Sequence, residues 1–299
     1  MSLATALLAG PVLLDGGLAT WLEAKGQDLR DELWSARLLA DDPATIVAAH
    51  RDFARAGARV LTTASYQATI TGFRRRGLDV EAAQRLIRSS VDLAHTAAAA
   101  AVAEGSADPP LWIAASVGPY GAALADGSEY RGRYGLSHAE LVRFHRPRMT
   151  LLAQARPDVL ACETVPDIRE AEALLSVLAE LDIPAWLSYT IDGTTTRAGQ
   201  PIEEAFALAA GNPAVIAVGV NCSSPVDTTA AVPVAARASG KPVVAYPNSG
   251  ERWDPATRRW FGTPTDLSGL VPRWVDEGAR LVGGCCRVSP MTVATFRLT

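Results

Sequence analysis

Three of the four cysteines in this 299-residue chain stand at the ends of short apolar runs. Cys222 closes AVIAVGVNC (214–222), and Cys285 and Cys286 close ARLVGGCC (279–286). Three thiolates converging on one point suit Zn2+, which takes sulfur at about 2.3 Å. Three protein ligands leave a fourth tetrahedral position open, the mark of a catalytic rather than a structural zinc. Adjacent residues of a regular strand point to opposite faces, so Cys285 and Cys286 serve one metal only where the strand has bent. Gly283 and Gly284 are expected to permit that bend through backbone angles that other residues avoid. A vicinal disulfide would close a strained ring and does not suit a reducing compartment. Inert burial is the plain alternative, since free cysteine is among the most buried residue types. Three cysteines at two strand ends favour the metal. Cys162 alternates with Glu163 and is expected to face a helix layer as core filler. His50, His95, His138 and His145 all fall in helical stretches, so an all-sulfur site is expected.

A scaffold must bring those strand ends together. Strand-like runs occupy 11–17, 59–67, 111–119, 159–166, 185–191, 214–222, 241–248 and 279–286. Stretches with apolar residues at helical spacing lie between them, for example 42–58, 81–105 and 168–181. Several open on an Asp, Ser or Pro and several end at Gly, as capped helices do. Near-continuous apolar strands imply a parallel sheet covered on both faces. Eight such units in a chain of this length predict an α/β fold, a (β/α)8 TIM barrel forming a single domain over 1–299. A final short helix is expected from Met291.

Composition narrows the function classes. A net charge of -4 and 20% charged residues give no sign of a nucleic-acid or membrane-surface partner. Four cysteines in so long a chain do not make a secreted disulfide framework. The apolar start MSLATALLAGPVLLDGG has no basic region before it and is too short to span a bilayer. A cytoplasmic protein acting on small molecules is expected. In such barrels chemistry sits at the C-terminal ends of the strands. Those ends carry Asp15-Gly16-Gly17, Ser65-Tyr66-Gln67, Ser116 to Tyr120, Glu163-Thr164, Ser188-Tyr189-Thr190, Asn221-Cys222, Tyr246-Pro247-Asn248 and Cys285-Cys286.

The strings LLDGGLAT, AGARVLTTASYQAT, SVGPYGA, ACETVPD, GVNCSSP, YPNSGERWD and LVGGCCRVSP, in this order from about residue 12 to 290, resemble the homocysteine S-methyltransferase family. GVNC followed by GGCC is the specific part; DGG or SYQA alone would be weak. The resemblance implies a zinc-dependent (β/α)8 barrel that moves a methyl group from a donor to the sulfur of homocysteine, giving methionine. It implies Cys222, Cys285 and Cys286 as the zinc ligands, the three that their spacing also singles out.

The implied chemistry suits these residues. A free thiol has a pKa near 8.5, and its thiolate is the nucleophile. A substrate sulfur in the open position of a zinc site is held deprotonated. Attack on a sulfonium methyl then needs alignment rather than a further base. Asp15 and Glu163 are candidates to accept from the ammonium of homocysteine, which the resemblance supports; a turn cap and a strand-end ion pair are the plainer roles. Backbone N–H groups near Gly16 and Gly17, or Ser65, are candidates for its carboxylate. Asn248 is a candidate to orient zinc ligands or substrate, or simply forms an Asx turn before Ser249-Gly250. Aromatic faces attract a sulfonium, and Tyr66, Tyr120, Tyr189, Tyr246 and Trp253 are the strand-end and loop aromatics. The stretch 250–266 is long for a βα loop, as lids are.

With no added cobalamin or folate module and no long C-terminal extension, the chain looks like the S-methylmethionine-using branch, with S-adenosylmethionine as a second donor. Another small thiol or selenol such as selenocysteine is an alternative acceptor. A non-catalytic zinc or thiol sensor and an unrelated barrel hydrolase or aldolase are the readings from other classes.

Overall fold

The computed structural model describes residues 1–29, 33–254 and 259–299, with the side chains of 252–254 and 259 also outside the description. Eight strands form one parallel sheet: β1 Val12–Leu13, β2 Val60–Thr62, β3 Trp112–Val117, β4 Val159–Val165, β5 Ala185–Tyr189, β6 Val215–Asn221, β7 Val243–Tyr246 and β8 Ala279–Val282. Each pairs with the next. β8 returns to β1 through Val12↔Leu281, and the bridge Leu14↔Val60 joins β1 to β2, so the sheet closes into a barrel. β3 and β4 are buried at every position, as strands covered on both faces must be.

The period of two sorts side chains between two cores. Val12, Leu14, Val60, Trp112, Trp186 and Tyr246 belong to the packed interior of the barrel. Cys162, Val165, Leu187, Tyr189 and Val218 belong to the layer between strands and helices. Cys162 is therefore core filler, as its alternation with Glu163 predicts. Gly219 on β6 is sterically obligatory, because a Cβ there would collide with the Val244 carbonyl oxygen on β7. The apolar N-terminus forms the helix Leu3–Ala9, whose Leu3 and Leu7 join the interior cluster, and the Trp112 indole N–H donates to the Met1 carbonyl at 3.3 Å. None of the described helices is long and apolar enough to cross a membrane.

The main outer helices start where side-chain caps satisfy their first amides. Asp42 caps Pro43–Arg55, Asp79 caps Val80–Ala103, Asp167 caps Ile168–Leu178 and Ser224 caps Pro225–Ser239. Ser137 and Glu140 form a full capping box before His138–Gln154. The helices stop two or three residues short of the ends that periodicity alone suggests; Gly57, for example, takes φ 99 just beyond the first of them. The last helix is short, Pro290–Val293. The long 250–266 stretch contains an antiparallel hairpin, Arg252–Asp254 against Arg259–Phe261. Residues 255–258 and the Trp253 side chain lie outside the described residues, so neither the lid nor that aromatic is placed.

Candidate active site

β6 and β8 flank β7, and their ends bring the three cysteines to one point. The Sγ atoms of Cys222, Cys285 and Cys286 all lie within 4.8 Å of one another, the one such cluster of potential metal ligands among the described residues. Cys222 Sγ and Cys286 Sγ are 3.9 Å apart, and all three cysteines are free. Tetrahedral Zn–S bonds of about 2.3 Å would put sulfurs about 3.8 Å apart. The cluster could thus hold a metal ion.

The bend arises differently from the sequence expectation. Gly283 and Gly284 are not at positive φ; the left-handed residues here are Cys222 (φ 49), Thr164 (φ 58) and Arg287 (φ 64). For non-glycine residues that conformation is uncommon and costs energy. It turns Cys222 out of the β6 path and ends the Cys285-Cys286 turn. The glycines serve close approach instead. A Cβ on Gly283 would press on the Asp15 carbonyl and Leu14, and one on Gly284 would collide with Val288.

Backbone hydrogen bonds pin the three ligands. Cys222 N–H donates to the Tyr246 carbonyl at 3.3 Å, and Cys285 N–H to the Pro247 carbonyl at 2.7 Å. Cys286 N–H donates to Asn248 Oδ1 at 3.1 Å. The Asn248 side-chain oxygen thus holds the backbone of the Cys285-Cys286 turn. Asn248→Ala is expected to lower metal affinity roughly 10- to 100-fold, the usual effect of losing a group behind a metal ligand, as measured by chelator competition.

Without a metal the thiols share charge unequally. The Cys285 and Cys286 thiols donate toward Cys222 and hold it well below the ordinary thiol range. Cys285 and Cys286 are in turn pushed well above that range by the same contacts.

Two buried carboxylates sit at the same mouth. Glu163 ends β4; the Ser116 hydroxyl donates to its Oε1, and the Tyr246 hydroxyl to its Oε2 at 3.0 Å. Asp15 follows β1 and accepts from Thr62 N–H at 2.6 Å and the Thr62 hydroxyl at 2.9 Å. Burial pushes Asp15 up to about 8 and Glu163 up to about 7, against the pull of these donors.

The candidate carboxylate binders are largely committed elsewhere. Gly17 N–H donates to the Val288 carbonyl at 2.9 Å. The Ser65 hydroxyl donates to the Ser116 carbonyl at 2.8 Å and contacts the Thr63 hydroxyl at 2.6 Å. Ser65 is thus a brace between β2 and β3, with no free proton to offer a carboxylate. Gly16 and Gly17 instead let the turn after β1 pass against Val288 and Cys285, since a Cβ on either would strike a carbonyl of that segment.

Two of the strand-end tyrosines face away from the mouth. The Tyr189 hydroxyl donates to the Ala205 carbonyl at 2.8 Å in the helix layer. Tyr120 packs on Tyr134 and Phe144. Tyr246 is inside the barrel, but its hydroxyl is tied to Glu163 and receives the Trp186 indole N–H at 3.0 Å. Tyr66 remains near the cluster, where burial first, then Glu129 and Cys222, push its hydroxyl pKa up.

Sequence reasoning missed Tyr130, whose hydroxyl is 3.9 Å from Cys222 Sγ. It lies in an irregular segment with no periodic signal. It also missed the brace formed by Asn221, whose Oδ1 accepts from Thr164 N–H and from the Ser188 hydroxyl, each at 2.7 Å. Its position next to Cys222 at a strand end was a usable signal.

Fold and site define a (β/α)8 barrel with a three-thiol cluster that could hold a metal and buried carboxylates beside it. Comparison with known proteins narrows this further. The family model for homocysteine S-methyltransferase matches residues 12–298. The homocysteine S-methyltransferase of Escherichia coli (strain K12) is 45% identical over 96% of this chain and 94% of its own length. Selenocysteine Se-methyltransferase of Brassica oleracea var. italica is 41% identical over 95% of this chain and 87% of its own. The crystal structure of the homocysteine methyltransferase MmuM from Escherichia coli in its metallated form superposes with a TM-score of 0.87 at 44% identity, covering 97% of both chains. The chain belongs to the homocysteine S-methyltransferase family.

Proposed function

We propose that this protein transfers a methyl group from a sulfonium donor, S-methylmethionine foremost and S-adenosylmethionine second, to the sulfur of L-homocysteine, forming L-methionine. The metal is Zn2+, held by Cys222, Cys285 and Cys286. The observation that carries the reading is the thiol cluster, its three sulfurs within 4.8 Å of one another, beside two buried carboxylates. An all-sulfur donor set suits zinc. When bound, zinc would hold the acceptor sulfur as a thiolate at neutral pH.

The protein's own groups position the two substrates. Glu163 and Asp15 receive the ammonium of homocysteine, and that contact sets the direction in which its sulfur points. Asn248 and the Pro247 carbonyl hold the Cys285-Cys286 turn. The homocysteine sulfur supplies the electron pair for the new S–CH3 bond. The donor's S–CH3 bond breaks with its pair returning to the donor sulfur, which leaves as a neutral thioether. The thiol proton goes to solvent, and no further base is needed. Positioning therefore supplies most of the rate enhancement expected of the site.

The Brassica relative supports selenocysteine as a second acceptor, since a selenolate is a stronger form of the same nucleophile. The test is purified protein with homocysteine and, in turn, S-methylmethionine, S-adenosylmethionine and betaine, with methionine followed directly. The highest kcat/KM is expected with S-methylmethionine. Turnover with betaine alone would overturn the donor assignment.

A further inference from the structure

Transfer between two sulfurs places acceptor and donor on opposite sides of the migrating methyl. Two amino-acid ends then point apart, and one pair of carboxylates cannot hold both. Asp15 and Glu163 are already tied to Thr62, Ser116 and Tyr246. A second recognition point is needed, and the groups around Tyr130 offer one.

Tyr130 ends the short helical turn Ser128–Tyr130 after β3. Its hydroxyl reaches to 3.9 Å from Cys222 Sγ, while 40% of the residue remains exposed, so it stands between the thiol cluster and solvent. Opposite charges flank it. Glu129 precedes it, within electrostatic range of Cys222 and the Tyr66 hydroxyl. The Arg197 guanidinium lies over the Tyr130 ring, 5.8 Å from its centroid. The turn is fixed in place: a Cβ on Gly121 would collide with the Ser128–Glu129 backbone.

Both flanking groups carry a buried polar atom with no hydrogen-bond partner, Glu129 Oε2 and Arg197 Nε. Arg197 meets Asp192 only through Nη1, at 3.8 Å. Buried polar atoms are normally satisfied, so such orphans call for an explanation. A carboxylate oxygen and a guanidinium N–H are the two groups that complement an ammonium and a carboxylate.

We infer that Glu129 and Arg197 clamp the α-amino-acid end of the methyl donor, Glu129 taking the ammonium and Arg197 the carboxylate, with Tyr66 and Tyr130 facing its sulfonium. The inference rests on the methyl-transfer reading above and deepens it. The donor class is an α-amino acid sulfonium, and recognition of the amino-acid end is separate from that of homocysteine.

The test is steady-state kinetics with S-methylmethionine and two truncated analogues, one lacking the amino group and one lacking the carboxylate. Wild-type protein should prefer the intact donor over each analogue by roughly 10- to 100-fold, the value of one charge-assisted hydrogen bond. Glu129→Gln should raise the KM for S-methylmethionine by a similar factor and lose discrimination against the deaminated analogue alone. Arg197→Met should lose discrimination against the decarboxylated analogue alone. Glu129→Asp should restore part of the preference. Homocysteine KM and zinc content should stay unchanged in all three. Equal use of the truncated donors by wild-type protein overturns the clamp without recourse to any variant. So does a parallel rise in the KM of both substrates. Wild-type protein that makes methionine from no sulfonium donor overturns the methyl-transfer reading and the clamp with it.

Discussion

Cys285→Ser is expected to reduce bound zinc from about one ion per chain to near zero and to abolish methionine formation. Serine is isosteric but does not ionise at neutral pH, so one of three anionic ligands disappears. The activity loss should exceed the roughly 10- to 100-fold that follows from losing a hydrogen bond behind a metal ligand. The fold should survive. Cys285 is the least buried of the three cysteines, and the bond from its N–H to the Pro247 carbonyl does not involve the thiol. The metal-free variant and metal-free wild type should therefore unfold at closely similar temperatures, while added zinc stabilises only the wild type. Metal analysis by plasma emission and a thermal melt with and without zinc read both quantities. A variant that keeps its zinc and turns over normally would remove Cys285 from the site.

Glu163→Gln is the second large effect, expected in binding. Loss of a buried carboxylate that meets an ammonium should raise the KM for homocysteine roughly 10- to 100-fold, with kcat changed far less. The pH profile adds a check on mechanism. Burial raises Glu163 to about 7; the Ser116 and Tyr246 hydroxyls and the Arg148 guanidinium pull it down, and Cys222 pushes it up. Asp15, raised to about 8, is the other carboxyl at this mouth. Both keep their protons in the free protein up to those values, and binding an ammonium requires the ionised form. Homocysteine binding should expel protons, and its KM should fall as pH rises from about 6 to 8. In Glu163→Gln the profile should flatten near pH 7, leaving the Asp15 contribution nearer 8. Stability runs the other way. A carboxyl whose folded pKa lies above its ordinary value of 4.5 stabilises the fold below that value and loses the contribution as pH rises toward 7. The stability of wild-type protein should decline over this window more steeply than that of the variant. A homocysteine KM unchanged by Glu163→Gln at every pH would place the ammonium elsewhere.

Much of the site was legible because barrel strands speak through their ends. Cys222, Cys285, Cys286, Asp15 and Glu163 each sit where an apolar run turns polar, and the barrel gathers such positions at one mouth. Cys162 and Glu163 were sorted to opposite faces by the period of two alone. The same rule, applied to Ser188 and Tyr189, would have sent Tyr189 outward. Listing strand ends without alternation is what kept it among the candidate aromatics.

What the sequence by itself determined is the barrel, its eight strands and the residues that meet at its mouth. Those follow from local period, punctuation and spacing. Only the tertiary structure decided how they meet. Cys222 turns on its own positive φ rather than on a neighbouring glycine, and Gly283 and Gly284 work by letting β8 pass against β1 and Val288. Ser65 and Gly17 lose their donors to carbonyls on other segments. Tyr130 brings its hydroxyl to Cys222 from the short helical turn after β3, and Arg197 reaches the Tyr130 ring from the segment after β5. The reason is physical. Period and spacing are local quantities, whereas steric contact and hydrogen-bond partners depend on segments far apart in the chain that approach one another only when the barrel closes.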